Sequence, residues 1–353
     1  MKIDELDLPD STIDFLKSQG FEKLYPPQVD SVKSGLLDGK SILVSAPTAS
    51  GKTLIAMLAM FSYLSKNNGK VVYLSPLRAL AAEKFTEFKK LEKIALGKKI
   101  KVGVSTGDFD GIEKNLEKSD ILILTNEKMD SVIRHGVEWI DEIGLVISDE
   151  VHLIGDENRG PTLEMILTQL KLLDSKPQIV GLSATITNSD EIANWLDCKL
   201  VKNDWRPVPL SEGVCDGGEV TMNDGNIFDV ERSLRGTPID LGVQSVKQGG
   251  QSLVFAETRT RSKSLATKAA DVISQMLKKN ELKELEKTSK KILSQNENTE
   301  IVKTLAILVK KGVAFHHAGL NQNCREIIEK EFRNGTIKLL SSTPTLAAGV
   351  NLP

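Results

Sequence analysis

Cysteine is scarce. Three stand in 353 residues, Cys198, Cys215 and Cys324, and no two of them form a Cys-x-x-Cys pair. An odd number without that spacing encodes neither a disulfide framework nor a zinc knuckle, so a reducing compartment and no zinc are expected. Long apolar runs are also missing: the longest, Leu54 to Phe61, falls far short of the ~20 residues that span a bilayer. The segment Met1 to Asp10 carries acids where a signal peptide has a basic stretch, so a cytoplasmic protein with no membrane partner is expected. Net charge is small, 46 Lys plus Arg against 48 Asp plus Glu, a formal −2. That excludes coating nucleic acid by bulk positive charge but leaves local basic stretches open. Gly-x-Gly never occurs, which removes a Rossmann dinucleotide loop and a protein-kinase lid from consideration.

What is present is 40% hydrophobic and 27% charged, enough for about two globular cores. Short β-branched runs alternate with helical patterns through the first two hundred residues, the signature of βαβ units around a parallel sheet. Strands are predicted at Ser41 to Ala46, Val71 to Ser75, Ile100 to Val104, Ile121 to Leu124, Leu145 to Ser148 and Ile179 to Leu182. Helices are predicted over Thr53 to Ser65, Ala79 to Leu91, Lys128 to Ile133 and Pro161 to Leu172. From Asn203 to Gly250 prolines and a glycine cluster, Gly213 to Gly225, suggest a connector with short strands. Strand patterns return at Leu253 to Ala256, Val313 to Phe315 and Ile337 to Ser341, and Met276 to Thr299, poor in apolar residues, reads as a solvated helix pair or loop. The fold class is α/β with two doubly wound parallel-sheet lobes, divided as residues 1–204 and 205–353.

The sharpest local signal is Ala46-Pro47-Thr48-Ala49-Ser50-Gly51-Lys52-Thr53, directly after an apolar strand and before the helix that opens Thr53-Leu54-Ile55. In such a loop backbone N–H groups and a helix N-terminus cradle phosphates. Lys52 is expected to reach the outer phosphates, and the Thr53 hydroxyl to ligate Mg²⁺. The usual first glycine is Ala46 here, and an incidental Gly-Lys-Thr at a strand–turn–helix is the competing reading.

A phosphate loop needs a carboxylate at the end of a neighbouring parallel strand. Asp149-Glu150-Val151-His152 follows Leu145 to Ser148. Asp149 is expected to hold Mg²⁺ and Glu150 to orient and deprotonate the water attacking the γ-phosphate, with His152 sensing that state. A lone Asp-Glu pair at a strand end is more often a helix cap. Two halves of one site in the correct chain order favour ATP and Mg²⁺ as cofactors.

These motifs resemble the superfamily 2 helicases, in the DExH-box branch that holds archaeal DNA-repair helicases and superkiller-like RNA helicases, and the resemblance covers nearly the whole chain. It implies two RecA-like lobes, the second incomplete. Tyr25-Pro26-Pro27-Gln28 resembles the adenine-recognition element, with Gln28 reading the base, and an initial Ala46 is common in this family. Ser75 to Ala81, Ser105 to Asp108 and Thr125 to Lys128 resemble nucleic-acid-contacting elements, and Ser183-Ala184-Thr185 the element that couples hydrolysis to movement through Ser183 and Thr185. Val254 to Arg259, His316 to Leu320 and Ser342 to Pro353 resemble elements of the second lobe, the last placing Gly349 at the nucleotide. Asp204 to Leu210 and His317-Ala318-Gly319 favour the archaeal repair and superkiller-like branch. Arg78, Thr106, Thr125, Glu127, Thr258, Arg259 and Thr343 are the candidates for lining the strand path.

The resemblance implies an ATP hydrolase that tracks 3′ to 5′ along single-stranded or forked DNA, as a monomer, in repair or replication restart. An RNA helicase of the same branch and a non-motor nucleotide-binding scaffold remain alternatives, and an unrelated phosphate-loop enzyme is a more distant one. The family pattern continues beyond Pro353 to an arginine-bearing element, a winged helix and a helical ratchet, so an N-terminal fragment with poor activity of its own is expected.

Overall fold

The structure is a computed structural model that describes residues 1–94, 96, 98–107, 114–231, 237–297, 299–344 and 346. It divides into two compact units, Met1–Pro209 and Leu210–Pro353.

The first unit opens with helices α1 (Asp10–Ser18) and α2 (Pro26–Lys33). Strands and helices then alternate: β1 (Ile42–Ser45), α3 (Lys52–Lys66), β2 (Lys70–Ser75), α4 (Arg78–Phe88), β3 (Val102–Ser105), α5 (Lys114–Glu117), β4 (Ile121–Thr125) and α6 (Asn126–His135). They continue as β5 (Ile143–Ser148), α7 (Gly160–Lys171), β6 (Gln178–Ser183), α8 (Ser189–Trp195) and β7 (Lys199–Lys202). The strands form one parallel sheet in the order β3-β4-β2-β5-β6-β1-β7.

Alternation of side chains along each strand divides the apolar residues between two faces. Val44, Val71, Tyr73, Ile123 and Ile147 join one core with Leu54, Ala81 and Phe88 of α3 and α4. Leu43, Val72, Leu74, Leu124 and Val146 join another with Met129 of α6, Leu163 of α7 and Ile192 of α8. Both faces are therefore covered, which is why these strands read as continuous apolar runs. The longest run, Leu54 to Phe61, is buried on every side within α3, and among the described residues no helix is long and apolar enough to cross a membrane. Strand β7, Lys-Leu-Val-Lys, was not anticipated: it is four residues long with a lysine at each end, the form a sheet edge takes when it must resist further pairing.

The second unit begins with an antiparallel sheet of β8 (Gly213–Asp216), β9 (Glu219–Met222) and β10 (Ile227–Asp229), followed by α9 (Thr237–Lys247). The expected connector thus holds short strands and also a helix that the Pro238 signal concealed, since proline is tolerated in a first helical turn. Then come β11 (Ser252–Phe255), α10 (Arg259–Ser274), α11 (Lys279–Ser294), α12 (Glu300–Lys310), β12 (Val313–His316), α13 (Gln322–Arg333) and β13 (Leu339–Ser342), with a parallel sheet ordered β11-β13-β12. The stretch expected as a solvated pair or loop carries α11, a single helix whose Leu285 and Ile292 are fully buried. Two apolar residues seven apart mark one narrow stripe, and between them the Ser289 hydroxyl donates to the Ala306 carbonyl of α12 at 2.8 Å, so the small side chain lets the helices meet closely.

Candidate active site

Register brings the carboxyl ends of the central strands level. Ser45 of β1 lies opposite Ser183 of β6, Ser148 of β5 opposite Gly181, and Leu74 of β2 opposite Ser148. In open parallel sheets ligands bind at this edge. The loop from Ala46 to Gly51 leaves β1, Asp149 leaves β5, and Ser183-Ala184-Thr185 leaves β6, which lies between them. Residues nearly a hundred positions apart therefore converge. Burial lowers the Lys52 pKa, with a smaller push from Arg206, while the carboxylates of Glu150 and Asp149 oppose it and so act on the ammonium across the site.

Within the loop the backbone is forced into the left-handed region at Ala49 (φ 65°) and Gly51 (φ 85°). For an L-residue such as Ala49 this costs about 1–2 kcal/mol. The Lys52 ammonium donates to the carbonyls of Ala46 at 2.9 Å and Pro47 at 3.1 Å, closing the loop over itself. Gln28, 2% exposed, accepts from the Tyr25 N–H at 2.7 Å and donates to the Gly51 carbonyl at 3.2 Å. The residue expected to read adenine is thus also a strut of the phosphate loop. Thr53 lies one residue into α3, and the Ser50 hydroxyl is fully buried inside the loop without a hydrogen-bond partner.

On the acidic side Glu150 is also left-handed, at φ 53°. Burial and then the neighbouring Asp149 raise its carboxyl above the usual range, with Lys52 and Lys84 opposing. His152 Nδ1 lies 3.3 Å from Glu150 Oε2 and accepts from the Ala184 N–H at 3.4 Å. One nitrogen cannot donate to the carboxylate and accept from the amide together, so the proton on His152 decides which bond forms. Burial and Lys52 lower the His152 pKa, which favours the neutral ring and the bond to Ala184. Ala184 also accepts from Ser183 Oγ at 2.9 Å and from Ser45 Oγ at 3.4 Å. The predicted coupling element is wired to both the acidic pair and β1, while Thr185 is exposed.

Two residues at the site escaped the sequence. Tyr73, fully buried in β2, donates its hydroxyl to Asp149 Oδ2 at 2.6 Å, and burial followed by the charge of Asp149 raises its pKa well above the ordinary value, so it stays a donor. Lys84 of α4 donates to Thr53 Oγ1 at 2.7 Å and to Glu87 Oε2 at 2.9 Å. In an apolar strand a tyrosine reads as core, and a lysine three residues before a glutamate reads as a solvated pair; only tertiary placement distinguishes them.

The donors fit a magnesium–triphosphate. Thr53 and Asp149 offer hard oxygens, the buried Ser50 hydroxyl awaits a partner, and a cation already rests on Thr53. Among the described residues no group of three or more His, Cys, Asp or Glu side chains is gathered to bind a metal. A divalent ion here would take its remaining ligands from phosphate and water, the habit of magnesium. Tyr73→Phe keeps the ring and removes the bond that orients Asp149. It is expected to lower Mg²⁺-dependent nucleotide affinity 10- to 100-fold, roughly the cost of losing an outer-shell partner. A fluorescent-ATP titration checks this, because the loss should vanish when the metal is omitted.

The strand-path candidates also lie at carboxyl ends. Arg78 opens α4 and is exposed, Thr106 follows β3 half-buried, and Glu127 is exposed in the first turn of α6. Thr125 is buried and caps α6, accepting from the Lys128 N–H at 3.3 Å. In the second unit Thr258 caps α10, accepting from the Arg261 N–H at 3.1 Å, and Arg259 opens that helix; both are exposed. Arg259 lowers the pKa of His317 after burial, and Thr343, buried, donates its backbone N–H to the His316 carbonyl at 3.1 Å. Gly349, Asp108 and most of the last element lie outside the described residues.

Family comparison agrees with this order of elements. Residues 25–192 match the DEAD/DEAH box helicase family and residues 274–353 the helicase conserved C-terminal domain. The chain is 43% identical to the ATP-dependent DNA helicase Hel308 of Methanocella arvoryzae over 100% of its own length and 47% of that protein. It is 44% identical to Hel308 of Thermococcus kodakarensis, over 98% of its length and 29% of the relative, and 43% identical to that of Pyrococcus horikoshii, over 100% and 47%. It therefore spans about half the length, or less, of the curated relatives it matches. Ordered motifs, two successive helicase domains and whole-chain similarity together make this chain a member of the superfamily 2 helicases, in their Hel308-like archaeal branch.

Proposed function

We propose that the chain carries the ATP-hydrolysing motor of a DNA helicase that travels 3′ to 5′ along single-stranded or forked DNA in repair or replication restart. The observation that supports this best is the convergence of Lys52, Asp149 and Glu150 at the carboxyl ends of β1 and β5, which β6 alone separates. In this reading residues 1–204 form the nucleotide-binding lobe, residues 205–353 belong to the second, and the protein acts as a cytoplasmic monomer without zinc.

ATP enters with its phosphates against the loop Ala46, Pro47, Thr48, Ala49, Ser50 and Gly51, whose amides and helix dipole favour negative charge. The Lys52 ammonium exchanges its two carbonyl partners for outer phosphate oxygens. Thr53 and Asp149 would hold Mg²⁺, which would supply neutralisation of the charge developing on the phosphates. Glu150, as a carboxylate, orients the attacking water and accepts its proton. That proton alters the charge beside His152, so His152 exchanges Ala184 for Glu150, and the Ser183-Ala184-Thr185 segment registers hydrolysis.

The sheet order separates two tasks along one edge. Nucleotide groups follow β1, β6 and β5, while Arg78, Thr106 and Glu127 follow β2, β3 and β4 and Thr125 ends β4. Thr258, Arg259 and Thr343 are the candidate strand contacts of the second unit, taken by itself. Binding through phosphate and sugar is sequence-independent and salt-sensitive. The named DNA helicase relatives favour DNA; an RNA substrate would need a donor or acceptor reading the 2′-OH. Arg78→Ala is expected to weaken single-strand DNA binding and reduce its salt slope by about 1, with fluorescent-ATP affinity unchanged. Equal loss of both would remove Arg78 from the strand path, and absence of Mg²⁺–nucleotide binding in the unaltered chain would remove the motor reading itself.

A further inference from the structure

Lys84 is 7% exposed, and its ammonium donates to two partners of different kinds. Glu87, one turn along the same helix, is a partly exposed carboxylate; Thr53, on α3, is a neutral hydroxyl. An ordinary pair spaced three apart on a helix surface leaves the lysine in water. Here the helix faces inward, and the lysine crosses to the hydroxyl of the residue that the nucleotide site assigns to its metal. A buried ammonium must keep hydrogen-bond partners, but a neutral oxygen is a weaker partner than a carboxylate and the easier one to surrender. The other charges facing this point are acidic or belong to the phosphate loop: the Glu150 carboxyl feels Lys84, and Tyr73 beside Asp149 feels Glu87.

We propose that Lys84 is a positioning residue for metal loading: it occupies the Thr53 hydroxyl in the nucleotide-free protein and yields it to the divalent cation, retreating onto Glu87. The ammonium and the metal are like charges that cannot both draw on that oxygen at close range, so Lys84 raises the metal concentration the site needs. Glu87 sets how readily Lys84 withdraws.

This inference rests on the nucleotide-site reading, and the test separates the two. The 353-residue chain is titrated with Mg²⁺ at a fixed concentration of a fluorescent, non-hydrolysable ATP analogue. Lys84→Met removes the charge at similar length and is expected to lower the Mg²⁺ midpoint about tenfold, the low end of what one adjacent charge does at a partly buried site. Glu87→Gln leaves the ammonium nowhere to retreat and is expected to raise the midpoint. Opposite shifts support the proposal, since a merely structural role would move both variants the same way. Equal shifts, or unchanged midpoints with nucleotide still bound, overturn it while leaving the nucleotide site standing. If Lys84→Met does not fold, Glu87→Gln decides alone: a raised midpoint supports, an unchanged or lowered one refutes. No nucleotide binding by the unaltered chain at any Mg²⁺ concentration overturns both readings.

Discussion

Glu150→Gln is expected to lower strand-stimulated ATP turnover by about 10²- to 10⁴-fold, the usual contribution of a positioned base, while nucleotide binding persists and the fold becomes more stable. The substitution preserves shape and hydrogen-bonding reach but removes the proton acceptor. The gain in stability follows from burial. The Glu150 carboxyl is raised above its ordinary pKa by desolvation first and by Asp149 second, against the pull of Lys52 and Lys84. A group raised in the fold stabilises it fully when protonated, below the unfolded value, and that contribution is lost as pH rises through the folded value. At neutral pH the wild-type chain therefore carries an unfavourable charge that glutamine lacks. The thermal midpoint of the variant should exceed the wild type's by about 2–4 °C for each kcal/mol relieved in a unit of this size, and the difference should shrink on acidification below the carboxylate range. Phosphate release against pH-dependent melting separates the two effects. A variant that keeps turnover removes Glu150 from the role of base, and one that melts earlier than wild type at neutral pH contradicts the electrostatic account.

The combination of lost rate and gained stability is what a functional position held against its own local preference looks like. The left-handed backbone at Glu150 and Ala49 belongs to the same pattern. Neither could be seen in the sequence, because nothing about a glutamate or an alanine announces a positive φ. The chemistry-bearing motifs were legible for a different reason: a phosphate loop and an acidic pair are local strings, and each needs only the strand before it to be recognised. The parallel sheet was legible too, since strands buried on both faces cannot hide their apolar runs. What failed was whatever depended on a neighbour distant in sequence. Strand β7 exists because β1 offers it an edge. Helix α11 is ordered by two apolar residues and one serine meeting α12, which a count of charges overlooks. Tyr73 and Lys84 have the compositions of a core residue and a surface pair, and acquire roles only when β2 and α4 deliver them to Asp149 and Thr53.

Gly51→Ala should have the second large effect, through the loop's geometry alone. At φ 85° an L-side chain costs about 1–2 kcal/mol. A methyl group at that position would also overlap the Gln28 amide nitrogen. Gln28 is a side-chain end and can move, but only by giving up its bonds to the Gly51 carbonyl and the Tyr25 N–H. At about 1 kcal/mol for each lost bond, the two costs together approach 3–4 kcal/mol. Part of that falls on the fold as an earlier melting transition. The rest falls on nucleotide affinity, because the phosphate loop loses the Gln28 strut that holds it at Gly51; a loss of about 100-fold corresponds to roughly 3 kcal/mol. Gln28→Ala supplies the control. With the amide already removed, alanine at position 51 retains its backbone cost but meets no obstruction, so the double variant should lose less than the two single losses combined. Strict additivity would place the whole penalty in the backbone and deny Gln28 its part in shaping the loop.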